Sequence, residues 1–210
     1  MNHINSYFTD FESYKESVVD WELDFRLLSK NDFSSYLNMY MDDNIHITRT
    51  ILTGKLEQYG LTPLGFTSLT IPVNYDKEFI WLNKKTKGDK ILVFPKCRTL
   101  DAVSYDNFDV YVLSIRDSYL YELIEQNELI SAAKLFNGDE QHIPISRSFS
   151  VKMNIILDNI LSSISNNVLG ENISTVSVLS LLLNEINNNG AMDQNTKLRK
   201  RDIAITTAVI

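Results

Sequence analysis

From Trp21 to Leu27 apolar and polar residues alternate, with Trp21, Leu23, Phe25 and Leu27 set against Glu22, Asp24 and Arg26. A period of two is the mark of a strand with one wet face. Ser29 to Asp32 is a polar turn and Phe33 to Met41 a second β-prone run, so the pair predicts a hairpin. Asp42-Asp43-Asn44 turns the chain again into Ile45, Ile47, Arg49 and Ile51, and the three strands read as an antiparallel meander. Gly60 to Gly65, with Pro63, is a connection, and Phe66 to Val73 predicts a strand edged by Pro72. Phe79 to Leu82 and Ile91 to Phe94 flank the charged stretch Lys84 to Asp89, which predicts a hairpin with a solvated tip at Gly88-Asp89. Thr99 to Ser104 and Phe108 to Ile115 add two more strands. About eight short strands with no helix between them fit a barrel or sandwich better than an α/β sheet.

After Ile115 the period becomes helical. Asp117 or Ser118 caps a helix through Leu120, Leu123 and Ile124, and a second short helix runs from Glu128 to Phe136. His142 to Ile145 is extended, because a residue before proline avoids the α region. Met153, Ile156, Ile160 and Ile164 lie at helical spacing, as do Ile173, Val176, Leu179, Leu183 and Ile186, and together they predict an antiparallel pair. The second of these is apolar on most faces, and such a helix is buried on several sides. A second subunit is one of the surfaces expected to cover it, with Ile156, Ile160, Val176, Leu179 and Leu183 as the dimerisation residues. Residues 190–197 read as a polar linker. Leu198 to Ile210 then resumes an apolar pattern and stops on an apolar residue, as the opening of a further domain would.

Composition narrows the function classes. An apolar fraction of 44%, with ten Phe and ten Tyr, supports a packed core. The net charge of −7 argues against a nucleic-acid surface over most of the chain, although Lys197, Arg199, Lys200 and Arg201 cluster near its end. One cysteine, Cys97, excludes a disulfide framework. No signal peptide opens the chain and no stretch is apolar enough for a membrane helix, so a cytoplasmic location without membrane contact is expected. No G-x-G-x-x-G, phosphate-binding loop or G-x-S-x-G occurs, which removes the support for nucleotide cradling and for a serine triad.

Several blocks resemble the amino-terminal region of AraC-type transcriptional regulators. They are Phe11 to Tyr14, Trp21 to Leu28, Leu56 to Gly60 as a strand ending in a loop, and Phe79 with Trp81. The most specific are Leu92-Val93-Phe94-Pro95, Leu100 to Ser104 and Phe108-Asp109-Val110. Lys96 to Thr99 departs from the Pro-Gly turn of many such proteins.

The resemblance implies an α+β class: a cupin-like antiparallel β-barrel or jelly roll over 1–115, with its N-terminal segment, then a helical dimerisation bundle over 116–189. It also implies that 190–210 is a linker and the start of a truncated helix-turn-helix domain, so that a homodimer contacts DNA only through that missing part. A small-molecule effector is the expected partner, with no cofactor and no enzymatic activity.

A metal-dependent cupin enzyme needs two or three His and a carboxylate on one face. His3, His46 and His142 lie far apart and only His46 is on a predicted strand, so no metal site is expected. Cys97, between Lys96 and Arg98, has cations that favour a thiolate, yet a lone cysteine is commonly a small buried hydrophobe. The best binding feature is the set of strand aromatics: Trp21, Phe25, Tyr36, Tyr40, Phe66, Phe79, Trp81, Phe94, Phe108 and Tyr111. Among these and their polar neighbours, Tyr36, Arg49, Phe79, Trp81, Phe94, Arg98 and Tyr111 are the candidate ligand residues, with the arginines suited to an acidic or amphiphilic effector. Two other classes fit the same strands. One is a metal-independent cupin-fold enzyme, which needs paired carboxylates in a pocket; the other is a protein-binding module, whose barrel would be solid.

Overall fold

A computed structural model describes residues 2–18, 21–29, 33–94, 99–137, 142–165 and 179–188. The first half of the chain forms β1 (Asn2–Phe8), α1 (Phe11–Ser17), β2 (Glu22–Leu27), β3 (Ser35–Met41), β4 (Ile45–Leu52), β5 (Leu56–Leu61) and β6 (Phe66–Pro72). Then come β7 (Glu78–Trp81), β8 (Lys84–Lys87), β9 (Lys90–Val93), β10 (Leu100–Val103) and β11 (Phe108–Arg116). The remainder is α2 (Asp117–Gln126), α3 (Ile130–Asn137), β12 (His142–Pro144) and α4 (Arg147–Ser165), with a further helical stretch at 179–188. Among the described residues no helix is long and apolar enough to cross a membrane.

The strands make two antiparallel sheets, seven in the order β1-β3-β4-β11-β6-β9-β12 and five in the order β2-β5-β10-β7-β8. The sheets face each other across Leu52, Leu56, Leu92, Leu100, Phe108 and Val110. A second core lies on the other side of the seven-stranded sheet, where Ile47, Leu69, Ile71 and Leu113 join Leu120, Phe149, Met153 and Leu157 of the helices. That sheet is therefore buried on both faces, and β6 accordingly is buried at six of its seven positions. The five-stranded sheet keeps one wet face, so β2 alternates between exposed and half-buried residues.

Register fixes which side chains meet. Thr50 lies opposite Leu37 on one side and Val110 on the other. One face of β3, β4 and β11 thus carries Leu37, Thr48, Thr50 and Val110, while the other carries Tyr40, Ile47, Arg49 and Tyr111. Gly60, opposite Leu23, has φ of +147°, and a Cβ there would collide with the Glu22 carbonyl. Glycine is what lets β2 approach β5 at this point.

The class is α+β with antiparallel pairing, but the sheets do not close into a barrel: β1 and β12 end one, β2 and β8 the other. The expected hairpin of β2 with β3 does not form, because β2 pairs with β5 and β3 with β1 and β4. The expected hairpin tip is also displaced. β7 and β8 turn tightly through Leu82 and Asn83, with φ of 49° and 61°, the geometry of a two-residue hairpin turn. The chain then leaves for the other sheet after Gly88, and Lys-rich β8 remains as an edge that resists further pairing. Leu56 to Gly60, expected to end in a loop, is strand throughout. Neither β1 nor α1 was signalled by periodicity. Asp117 opens α2 instead of capping it, and its carboxylate accepts from the Thr67 hydroxyl at 2.7 Å.

The expected dimerisation residues are in part within the described region. Ile160, Leu179 and Leu183 are buried in the chain's own second core, and Ile156 is half-buried against it. The apolar side chains that α4 leaves exposed are Val151 and Ile155, one turn apart. Val176, the linker over 190–197 and the segment from Leu198 to Ile210 lie outside the described residues, as do Cys97 and Arg98.

Candidate ligand-binding cavity

Asp10 caps α1 by accepting from the Ser13 N–H at 2.8 Å. The helix carries Tyr14 inward, where its ring packs 6.0 Å from Phe25 and 5.7 Å from Phe33. Behind Tyr14, between the two sheets, lies a cavity of about 590 Å³ counting its open mouth. Leu37, Met39, Thr48 and Thr50 form its wall on the seven-stranded side, and Leu23, Phe25 and Gln58 on the other. Its walls are mostly apolar with a few polar groups, Thr48, Thr50 and Gln58, which is the character of small-ligand pockets. Burial pushes the Tyr14 hydroxyl well above the usual phenol range, with the Thr50 hydroxyl pulling in the opposite direction. The phenol therefore stays neutral at physiological pH.

A second lobe of about 390 Å³, again counting its open mouth and called the inner lobe, adjoins the first and is walled by Thr70, Phe79, Trp81, Ala102 and Ser104. Gln58, Phe94, Phe108, Val110 and Val112 line both lobes. Phe94 stands edge-on between two indoles, 5.1 Å from Trp21 and 4.9 Å from Trp81. Such edge-to-face pairs favour a fixed ring orientation. Among the described residues the walls of both lobes hold no carboxylate, ammonium, guanidinium, imidazole or thiol.

The opposite face of the same strands carries a charged node. Arg49 donates to Asp109 in a fork, Nε to Oδ1 at 3.1 Å and Nη2 to Oδ2 at 3.0 Å, and Nη1 reaches Asp158 of α4 at 2.6 Å. The Tyr111 hydroxyl donates to Asp158 at 3.1 Å, and the guanidinium lies 5.3 Å from the centre of the Tyr111 ring. The Asp109 hydrogen bonds raise the Arg49 pKa further above its already high range, against the effect of burial. Burial raises the Tyr111 hydroxyl, and Arg49 opposes it. The node ties β4 and β11 to α4, since planar fork-to-fork pairing fixes orientation as well as distance.

The structure brings Phe79, Trp81 and Phe94 together on the cavity walls. It does not bring Tyr36, Arg49 or Tyr111 there. Arg49 and Tyr111 are on the helix-facing side, and Tyr36 is on that same side of β3, with its ring 4.7 Å from Tyr7. The reason is parity: strand neighbours of Thr50 and Val110 must point the other way. Of the other aromatics, Trp21, Phe25 and Phe108 line the main lobe, whereas Tyr40 belongs to the second core and Phe66 stacks on His46 at 4.7 Å. Sequence reasoning missed Tyr14, Thr48, Thr50 and Gln58. The shared parity of Thr48, Thr50 and Leu52 was the available signal for two of them. No three His, Cys, Asp or Glu side chains gather as a metal would require, among the described residues.

No family profile matches the sequence, and no curated protein matches it. Among solved structures the chain aligns with the EutQ protein of Clostridium difficile at a TM-score of 0.31 and 8% identity, over 48% of this chain and 98% of that one. It is similar to the AraC-like transcriptional activator CuxR at a TM-score of 0.61 and 10% identity, over 90% of this chain and 70% of that one. At that identity the likeness is one of fold, and the fold of this chain is the one seen in that AraC-like activator.

Proposed function

We propose that the chain is the ligand-sensing and dimerisation portion of an AraC-type transcription regulator working in the cytoplasm. In this reading DNA is contacted by a C-terminal helix-turn-helix domain and not by the acidic sandwich. The observation that carries the proposal is the back-to-back arrangement of β4 and β11, with an uncharged cavity wall on one face and the Arg49 node to α4 on the other. An effector in the cavity shifts Thr48, Thr50, Val110 or Val112, and with them the register of the node against α4. Only a difference in affinity between two such arrangements would move the equilibrium. The lack of any carboxylate in the described walls supports a binding module over a metal-independent cupin-fold enzyme, and the cavity itself supports it over a solid protein-binding sandwich.

The test is a thermal-shift screen of small metabolites, with sedimentation of each hit. A ligand that raises Tm and changes the dimer equilibrium supports the reading, since a ligand of the folded state stabilises it by mass action. A monomer at every concentration, indifferent to every hit, would overturn it.

A further inference from the structure

The inner lobe contains two polar side chains that the protein leaves unanswered. Trp81 Nε1 and Thr70 Oγ1 are buried, and neither meets a hydrogen-bond partner among the described residues. Trp81 is 8% exposed and Thr70 4%. Both stand in the wall of the same lobe, one from each sheet. An indole N–H can only donate, and a hydroxyl can donate or accept. Buried polar groups are nearly always paired, and an unpaired one is destabilising. Nearby hydroxyls follow the rule: Ser68 and Ser114 bond to each other at 2.8 Å, and Ser104 Oγ accepts from the Leu56 N–H at 2.9 Å. Among the described residues Ser35 Oγ, Tyr105 Oη and Asn154 Oδ1 are also buried without a partner, but of these unpaired groups only Trp81 Nε1 and Thr70 Oγ1 belong to residues that line this lobe.

The electrostatics point the same way. No charged side chain among the described residues faces either lobe, and the nearest guanidinium on β4, that of Arg49, is committed to Asp109 and Asp158 on the far side of the sheet. Among the described residues there is no cation to offset the hydration that an anion inside would lose. An uncharged acceptor would lose far less and would satisfy both orphan groups.

Resting on the reading of this cavity as the effector site, we propose that the inner lobe is its polar end. The effector class is a neutral, largely aromatic or aliphatic molecule with one carbonyl-type oxygen. That oxygen accepts from Trp81 Nε1–H and the Thr70 hydroxyl, and the apolar body extends past Phe94 into the main lobe beside Trp21.

Three matched probes test this: acetylnaphthalene, isopropenylnaphthalene, in which a methylene replaces the carbonyl oxygen, and naphthoate. The readouts are affinity and the two indole N–H resonances of the intact chain, assigned with Trp21→Phe. The ketone is expected to bind about tenfold more tightly than the hydrocarbon and to move the Trp81 N–H downfield. Naphthoate is expected to bind more weakly than either. Thr70→Val should remove most of the ketone's advantage and Thr70→Ser should restore it, with thermal melts confirming that both fold. If ketone and hydrocarbon bind equally and move only the Trp21 resonance, the polar end is wrong while the cavity stands as a ligand site. Tightest binding by naphthoate overturns the neutral class. If no probe moves either indole, the cavity reading fails and the proposal fails with it.

Discussion

Arg49 and Thr50 are adjacent on β4 and point in opposite directions, Thr50 into the inter-sheet cavity and Arg49 onto Asp109 and Asp158. One peptide unit thus separates the wall of the candidate site from the contact that holds α4. A displacement of the strand on one side is necessarily felt on the other, because both side chains share a rigid, doubly paired backbone.

Arg49→Met is expected to destabilise the fold by about 2 kcal/mol, chiefly by leaving the poorly exposed Asp109 without its partner. Asp158→Asn should cost less than about 1 kcal/mol, since the Asp158 side chain is 54% exposed and its ion pair is screened. Urea titrations of the two variants measure both values. If Arg49→Met is neutral, the node does not hold α4.

Val112 lines both lobes, so Val112→Phe should fill the space between them. Adding a ring to a packed core usually destabilises by roughly 1–3 kcal/mol. Here the ring enters empty volume, and the expected outcome is stability within about 1 kcal/mol of the parent with loss of all ligand-induced change in Tm. Retained ligand response in a folded Val112→Phe protein would place the ligand elsewhere.

Alkaline pH is expected to unfold the protein through its buried phenols. Unfolded tyrosines ionise near 10.0, whereas burial and the bond to Asp42 push Tyr40 up to about 12 and burial drives Tyr14 and Tyr111 higher still. The folded chain then retains protons that the unfolded chain loses. Stability from these groups is whole below about pH 10 and falls as pH rises towards and past 12. Denaturation midpoints measured across that range should fall steadily, and Tyr40→Phe should make the fall shallower. Midpoints independent of alkaline pH would contradict the burial of these three hydroxyls.

Much of the strand content was legible, and the pairing much less so. The alternation over Trp21 to Leu27 identified β2 and its inward face, yet its partner is β5, because the choice between sheets depends on contacts far along the chain. Candidate site residues were misassigned for a related reason. In a sheet buried on both faces, Tyr111 and Val110 are equally hidden, so burial pattern alone does not say which faces a cavity. The two-residue turn at Leu82-Asn83 was missed because its left-handed conformation is usually announced by glycine, and here leucine adopts it while packing against the inter-sheet core. Strand β1 carries little apolar alternation, as befits an edge whose register is set by β3. The helix at 147–165 and the helical stretch at 179–188 were legible from spacing, and Ile160, Leu179 and Leu183 on them are buried in the second core.

The two tryptophans of the chain stand in the walls of the two lobes, Trp21 in the outer and Trp81 in the inner. Intrinsic indole emission therefore reports the space between the sheets and is nearly blind to the helical layer beyond the seven-stranded sheet. Followed during unfolding beside circular dichroism, which is dominated by the helices, it separates the parting of the sheets from the melting of α4. Coincident transitions would mark the sandwich and its helical cover as one cooperative unit, and a gap between them would show the cover loosening on its own.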